Sequence, residues 1–322
     1  MADGGRDVFF VYMGGEQVVP EDVTHVRIDK SVEVIDDLAF YRCDRLVKVD
    51  THDGIRKVGE RAFLVCKSLR SMDLRSVLEI DDMAFEGCKN LTDVQFGNKL
   101  ETIGWNAFDE CTSLKRLKLP SIITVKSGAF QSCDALTSIE FSERLESIQP
   151  CAFYDCYRLQ RIAIPLKRDL FSIDPELQKY TQFHYCDILT TVDLVGGSHN
   201  KTIASLHMES WRIEMNAEIN RINQVLPNTP ANEKTAAIKQ WMDSVIDKMD
   251  HFKAKHHRYV KEAVTLLELA LWKAKLAEND ETAAEGRTKE AKLDSESVRK
   301  VKRVTCCADM VIKNVLPFLK LQ

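Results

Sequence analysis

Trp105–Pro120, WNAFDECTSLKRLKLP, is the stretch whose reading decides the fold. Its inner string A-F-x-x-C-x-x-L returns as AFYRCDRL (39–46), AFLVCKSL (62–69), AFEGCKNL (84–91), AFQSCDAL (129–136) and AFYDCYRL (152–159). The repeated phenylalanines Phe40, Phe63, Phe85, Phe108, Phe130 and Phe153 lie alternately 23 and 22 residues apart. A weaker copy, QFHYCDIL (182–189), brings Phe183 after a longer interval. Cys43, Cys66, Cys88, Cys111, Cys133, Cys156 and Cys186 keep the same phase. A fixed period of this length marks a solenoid, whose coils bury their apolar sides against one another.

One unit divides into two parts. Ile103, Ala107, Phe108, Cys111 and Leu114 fall on one face of a short helical turn. Leu117 and Leu119 then alternate with Arg116 and Lys118, the period of a half-buried strand. The expected coil is therefore a helical turn followed by a short strand. About seven such coils occupy residues 25–195.

These copies, each followed by L-x-x-[IVLM]-x-[LFI], resemble the BspA-like type of leucine-rich repeat. The resemblance implies an α/β repeat solenoid with a continuous strand sheet as its usual contact surface. The remaining chain, with MESWRIEMNAEINRINQVLPNTPANEK and TLLELALWKAKL, is similar to the C-terminal part of algal leucine-rich-repeat proteins, which implies no activity.

Caps are expected at both ends. VFFVYMGGEQVV (8–19) reads as two strands around Gly14-Gly15, so residues 1–24 are expected to form a hairpin cap. VTHVRID (23–29) supplies a first strand without its Phe and Cys, as terminal repeats often do. The insertion PLKRDLFSIDPELQKYTQ (165–182) reads as a surface loop and a candidate contact element.

Residues 199–322 change to helical periodicity. Ile203, Leu206, Trp211, Met215, Ile219, Ile222 and Leu226 predict one helix over 203–226. Thr229 is read as the N-cap of the next, with Pro230 in its first turn. There Met242, Val245, Met249, Phe252, His256, Tyr259, Ala263, Leu266 and Ala270 alternate steps of three and four. That spacing predicts one long helix with a coiled-coil seam over 230–276. The first helix covers about half of it, and the rest calls for residues 281–315 or a second chain. A homodimer through the long helix is thus a candidate assembly.

The recurring cysteine decides between architecture and chemistry. Stacked coils place equivalent Cα atoms about 5 Å apart, a distance that permits disulfides. The side chains point the same way, however, and seven thiols cannot all pair. A slot on the inward face suits Cys as a small hydrophobe with a weak S–H donor. A redox sensor built on these thiols is the runner-up reading. Zinc would need convergent ligands such as C-x-x-C pairs, which the chain lacks. His251, His256 and His257 in HFKAKHHRYVKE read as solvated helix residues rather than a metal site, and VRKVKR (298–303) as a solvated basic face.

No phosphate loop, dinucleotide fingerprint, H-E-x-x-H or G-x-S-x-G occurs, so the reading is non-enzymatic with no cofactor. Hydrophobic content is 44%, charged content 29% and net charge −4. Residues 1–198 carry −8 and the remainder +4. No run is long and apolar enough for a membrane span, and MADGGRDVFFVYMGG lacks the pattern of a secretory signal. The location expected is cytoplasmic, with a nuclear one also compatible, and a surface adhesin is disfavoured.

The surface expected to meet a partner is the outward row of the strands. Its residues are Lys48 and Asp50, Ser71 and Asp73, Asp93 and Gln95, Arg116 and Lys118, Ser138 and Glu140, Arg161 and Ala163, Thr191 and Asp193. Mixed charge argues for a protein partner rather than nucleic acid, which favours a one-signed basic groove. The sequence thus points to a protein-interaction scaffold whose helices cap, dimerise or bind a second partner.

Overall fold

A computed structural model describes residues 7–15, 17–172 and 181–285, with side chains as far as Ala277. Contacts divide the chain into two units: residues 1–197 with 218–246, and 198–217 with the chain from 247 onward. The boundary expected near residue 196 therefore does not end the solenoid's unit, which also takes in 218–246.

The solenoid is wound from short parallel strands. The longer series is β1 (Phe9–Tyr12), β2 (His25–Ile28), β4 (Lys48–Asp50), β6 (Ser71–Leu74), β8 (Asp93–Phe96), β10 (Arg116–Leu119), β12 (Ser138–Phe141), β14 (Arg161–Pro165) and β15 (Thr191–Val195). Between them lie the two-residue strands β3 (Val34–Ile35), β5 (Lys57–Val58), β7 (Glu79–Ile80), β9 (Thr102–Ile103), β11 (Thr124–Val125) and β13 (Ser147–Ile148). The short strands make one six-stranded sheet. The longer series forms sheets of five and four strands, with the ladder interrupted between β8 and β10.

The alternating period has a local cause. β5 starts nine residues after β4 (Lys57 after Lys48), whereas β7 starts eight after β6 (Glu79 after Ser71). The extra residue of each 23-residue coil thus falls in the connection between its two strands, leaving the Phe–Cys segment unchanged.

That segment is not a helical turn. Ala39 N donates to Asp36 O and Cys43 N to Phe40 O, so two successive turns replace the expected helix. The residues two before and two after each Phe from Phe40 to Phe153 are left-handed, including Leu38 (φ 59°) and Arg42 (φ 59°), Arg61 (φ 55°) and Val65 (φ 63°). A left-handed non-glycine residue costs roughly 1–2 kcal/mol. Hydrogen bonds between coils offset that cost. Leu38 N reaches Glu60 O at 2.9 Å, Phe40 N reaches Ala62 O at 2.8 Å, and Arg42 N reaches Leu64 O at 2.9 Å. A helix would point these amides along its own axis, away from the next coil.

The core is a ladder of rings. Phe40, Phe63, Phe85, Phe108, Phe130, Phe153 and Phe183 are fully buried. Successive centroids are 4.9 to 5.7 Å apart, with planes within 11° of parallel. Tyr12 closes the N-terminal end, 5.0 Å from Phe40, with its hydroxyl donating to Asp36 Oδ2 at 2.6 Å.

The expected N-terminal hairpin does not form. β1 pairs in parallel with β2, and residues 17–20 are not a strand. Gly14 and Gly15, both with positive φ, turn the chain out of β1. Gln17 then folds back, its Oε1 accepting from Met13 N at 2.7 Å and its Nε2 donating to Val11 O at 3.4 Å. One carboxamide covers part of the sheet edge that a second strand would have paired.

At the other end, Phe171 of the insertion bridges to Ile148 and extends the six-stranded sheet; residues 173–180 lie outside the described structure. The helix expected over 203–226 is divided into α1 (Ser198–Ser205) and α2 (Glu209–Val225). Arg212 Nη1 donates to Leu206 O across the break at 3.0 Å. Short 3-10 turns (Leu226–Asn228 and Ala231–Glu233) lead into α3 (Lys234–Glu285), whose 52 residues form one helix. Thr229 does not cap α3: its hydroxyl donates back to Val225 O at 3.0 Å. The other segments read as helical, Val298–Val304 and ADMVIKNVL, lie outside the described residues.

Residues 218–246 act as the solenoid's terminal cap. In interior coils the Phe amide donates to the next coil's turn, as Phe153 N does to Gln182 O. In the last coil Phe183 N instead donates to Thr235 Oγ1 at 3.2 Å. Val192 N donates to Asn223 Oδ1 at 2.8 Å, and Lys234 Nζ donates to Asp187 O and Leu189 O.

Candidate interaction surface

Strand register sets the outward side chains in two rows. His25, Lys48, Ser71 and Asp93 are consecutive partners in one row, continued beyond the interruption by Arg116, Ser138, Arg161 and Thr191. The second row pairs Arg27 with Asp50 and Asp73 with Gln95, then Lys118 with Glu140, Ala163 and Asp193. Apart from Ala163, the side chains of these rows are exposed or half-buried. Ala163 keeps the register but is buried, as is most of β14.

Much of the charge on this face is neutralised within it. Lys48 pairs with Asp50 at 2.7 Å, Lys118 with Glu140 at 3.3 Å, Arg75 with Asp73 at 2.6 Å, and Arg161 with Asp193. The Arg75 guanidinium holds the Asp73 carboxyl below its usual range. Such exposed pairs contribute up to about 1 kcal/mol each and fix side-chain positions more than they stabilise. Among the described residues, Arg116 and Asp93 make no ion pair, and both stand at the interruption between β8 and β10. Gly97 follows β8 there, where a Cβ would lie 1.9 Å from Arg75 O. Only glycine lets the chain pass the preceding coil so closely.

Sequence reading missed the N-terminal extension of the rows. Phe9 is 74% exposed, and its ring stacks on His25 at 4.9 Å. Val11 lies next to Arg27 in the second row. The signal was the inside–outside alternation of FFVY, which buries Tyr12 and therefore turns Phe9 and Val11 outward.

The cysteine ladder faces inward. Each thiol from Cys66 to Cys186 donates to the carbonyl of the preceding coil's Phe, at 3.0 to 3.3 Å. An alanine in that slot would leave a buried carbonyl unpaired, so the slot takes a small apolar residue with a donor. Burial pushes the thiols of Cys66, Cys88, Cys111, Cys133 and Cys156 far above the ordinary cysteine range, and Cys43 at the open end is raised to about 11. Thiols held protonated at neutral pH are weak nucleophiles. Cys151 is half-buried because it occupies the left-handed position before Phe153; Cys306 and Cys307 lie outside the described residues.

The turn side of the solenoid carries a second titratable feature. Asp109 and Glu86 occupy the position after Phe in adjacent coils, and each has a buried oxygen without a hydrogen-bond partner among the described residues. Asp109 is pushed up to about 7, first by burial and then by the neighbouring Glu86 charge. The folded state therefore holds a proton that the unfolded chain releases at lower pH. The cost to stability is absent below the unfolded value near 3.8 and accumulates as pH rises toward 7. Asp109→Asn should gain about 1–2 kcal/mol over the wild type near pH 8 and nothing near pH 4, read from urea midpoints. An equal gain at both pH values would contradict this account.

Among the described residues no group of three His, Cys, Asp or Glu side chains is placed to hold a metal ion. His256 instead meets His207, with Nδ1 atoms 2.8 Å apart. No helix of the described structure is long and apolar enough to cross a membrane.

A family model matches the chain over the residues that form the coils. The family model "BspA type Leucine rich repeat region (6 copies)" matches residues 20–125 and 120–222, more than half of the chain. It ends at residue 222, so it lends nothing to the likeness of the long helix to algal proteins. No curated protein matches the chain. Among solved structures, a leucine-rich cell surface protein of Faecalibacterium prausnitzii is 24% identical with TM-score 0.30. That match covers 55% of this chain and 61% of the other, so this chain spans under two thirds of that protein. The Treponema pallidum leucine-rich-repeat protein TpLRR is 21% identical, with TM-score 0.37, 54% of this chain covered and 74% of the other. On the family match, over the residues that carry the Phe and Cys ladders, the chain belongs to the BspA-type leucine-rich-repeat family.

Proposed function

We propose that this chain is a non-enzymatic protein-interaction scaffold, with the two outward rows of the longer strands as its recognition surface. Leucine-rich-repeat proteins generally mediate protein–protein interaction or surface binding. The carrying observation is the pair of rows itself: side chains that differ from coil to coil stand in register on a hydrogen-bonded, ring-stacked frame. A frame of this kind presents its side chains with little ordering cost on binding.

Arg116 is the leading contact residue. It is exposed, makes no ion pair among the described residues, and opens β10 on the far side of the ladder's interruption. Lys118, by contrast, is already paired with Glu140. The partner is a protein with both charges on its contact surface, and Phe9 on His25 offers it an apolar anchor. Residues 218–246 cap the solenoid, and the helices beyond serve dimerisation or a second partner.

The redox reading is disfavoured by the ladder, whose thiols are buried and, from Cys66 to Cys186, donate to carbonyls of the preceding coil. In a pull-down of the full chain, Arg116→Glu should reduce recovery of its partners at least about tenfold. Lys67→Glu, on the turn side, should leave recovery unchanged. Equal recovery with Arg116→Glu and the wild type would remove the strand face as the binding surface.

A further inference from the structure

The part of α3 within the second unit carries an exposed stripe with an unusual internal order. Tyr259, Glu262, Leu266, Leu269, Lys273 and Leu276 follow one another at steps of three and four, the spacing of a coiled-coil face. Leu266 is 64% exposed, and Leu269 and Leu276 are each 54% exposed. Tyr259 packs one side on Trp211 and His207 and remains 37% exposed. Glu262 lies 3.8 Å from Arg258, an exposed contact that leaves it open to a stronger one.

The stripe is its own complement when reversed. A two-fold axis placed between Leu267 and Glu268 sets Leu266 opposite Leu269 of a second copy. The same axis sets Glu262 opposite Lys273 and Tyr259 opposite Leu276. A parallel, in-register pair would instead oppose Glu262 to Glu262 and Lys273 to Lys273, which is repulsive. A foreign helix would not require this order of acid, two leucines and base.

We propose that α3 pairs with α3 of a second copy, antiparallel, through this stripe, with two Glu262–Lys273 pairs flanking four leucines. The pairing face runs roughly 27 Å along the helix. That is shorter than a standard interface requires, so the dimer forms in the micromolar range rather than as an obligate one. The assignment uses only residues of the second unit and does not depend on the strand-face reading, which is tested by partner recovery.

Sedimentation velocity on the full chain tests it, from about 1 to about 200 µM at low salt. The wild type should shift from monomer to dimer within this range. Glu262→Lys or Lys273→Glu alone should weaken the dimer at least about tenfold by opposing like charges. Combining both substitutions reverses each pair and should restore affinity to within about threefold. Both residues are exposed, so helical circular dichroism should be unchanged in all variants. A chain that stays monomeric throughout, single variants that dimerise like the wild type, or a double variant that stays weak would each overturn the assignment.

Discussion

Phe108→Ala is expected to lower stability by about 3–5 kcal/mol, read as a fall in the urea midpoint. The ring is fully buried and stacks on Phe85 at 5.1 Å and Phe130 at 5.4 Å. The edge of Phe96 meets it at 5.8 Å. Truncation therefore removes contacts on three sides. Neighbouring coils cannot close the cavity, because their spacing is held by hydrogen bonds such as Phe85 N to Ala107 O and Phe108 N to Ala129 O. Phe108→Leu retains most of the volume and should cost less, about 1–2 kcal/mol, which isolates the cavity contribution. In a stacked array each coil is coupled only to its neighbours. Loss in the middle should thus also broaden the transition, with the coils on either side of residue 108 exchanging amide hydrogens independently. A loss below about 1 kcal/mol with a sharp transition would show that this slot is loosely filled.

The ring and thiol ladders were legible because period is a property of the sequence. Any unit that repeats Phe and Cys in phase must stack like on like. The conformation of A-F-x-x-C was not legible from spacing. Steps of four, one, three and three suit one face of a helix, and they also suit two consecutive turns. What separates the two is the left-handed backbone at residues such as Leu38, Arg42, Met83 and Glu110. Only Gly87 and Gly128 among these slots are glycines, so in most coils nothing local announces it. The amide–carbonyl bonds to the next coil impose the conformation against local preference.

The N-terminal cap failed for a related reason. Gly14-Gly15 signals a turn between two strands, but β1 finds its partner in β2, across the turn and in parallel. On the strand face, the expected positions were readable from alternation alone. Which of them stay unpaired was not, because Lys118–Glu140 and Arg161–Asp193 join residues one coil or more apart.

Lys234 is the residue least predictable from sequence and the second large expected effect. It opens α3, is 1% exposed, and places Nζ 2.7 Å from Asp187 O and 2.6 Å from Leu189 O. In interior coils the carbonyl equivalent to that of Asp187 is taken by the next coil, as Asn90 Nδ2 takes Lys67 O at 2.8 Å and Ser113 Oγ takes Lys89 O at 2.6 Å. The last coil has no successor, and the lysine supplies its donors. Burial holds this ammonium below its usual range, the cost of keeping a charge there. Replacing a buried ion pair by apolar residues is often harmless because both partners can be removed. Backbone carbonyls cannot be removed. Lys234→Met, which keeps the aliphatic stem, should therefore cost about 2–4 kcal/mol by leaving two acceptors unpaired. Thr235→Val removes the acceptor for Phe183 N and should cost about 1 kcal/mol. Hydrogen exchange should quicken first at Phe183–Val195 in both variants, with the coils around Phe63 unchanged. If Lys234→Met matches the wild type in midpoint and in exchange, burial of apolar residues of the cap such as Ile238 and Trp241, both fully buried, closes the solenoid without the lysine.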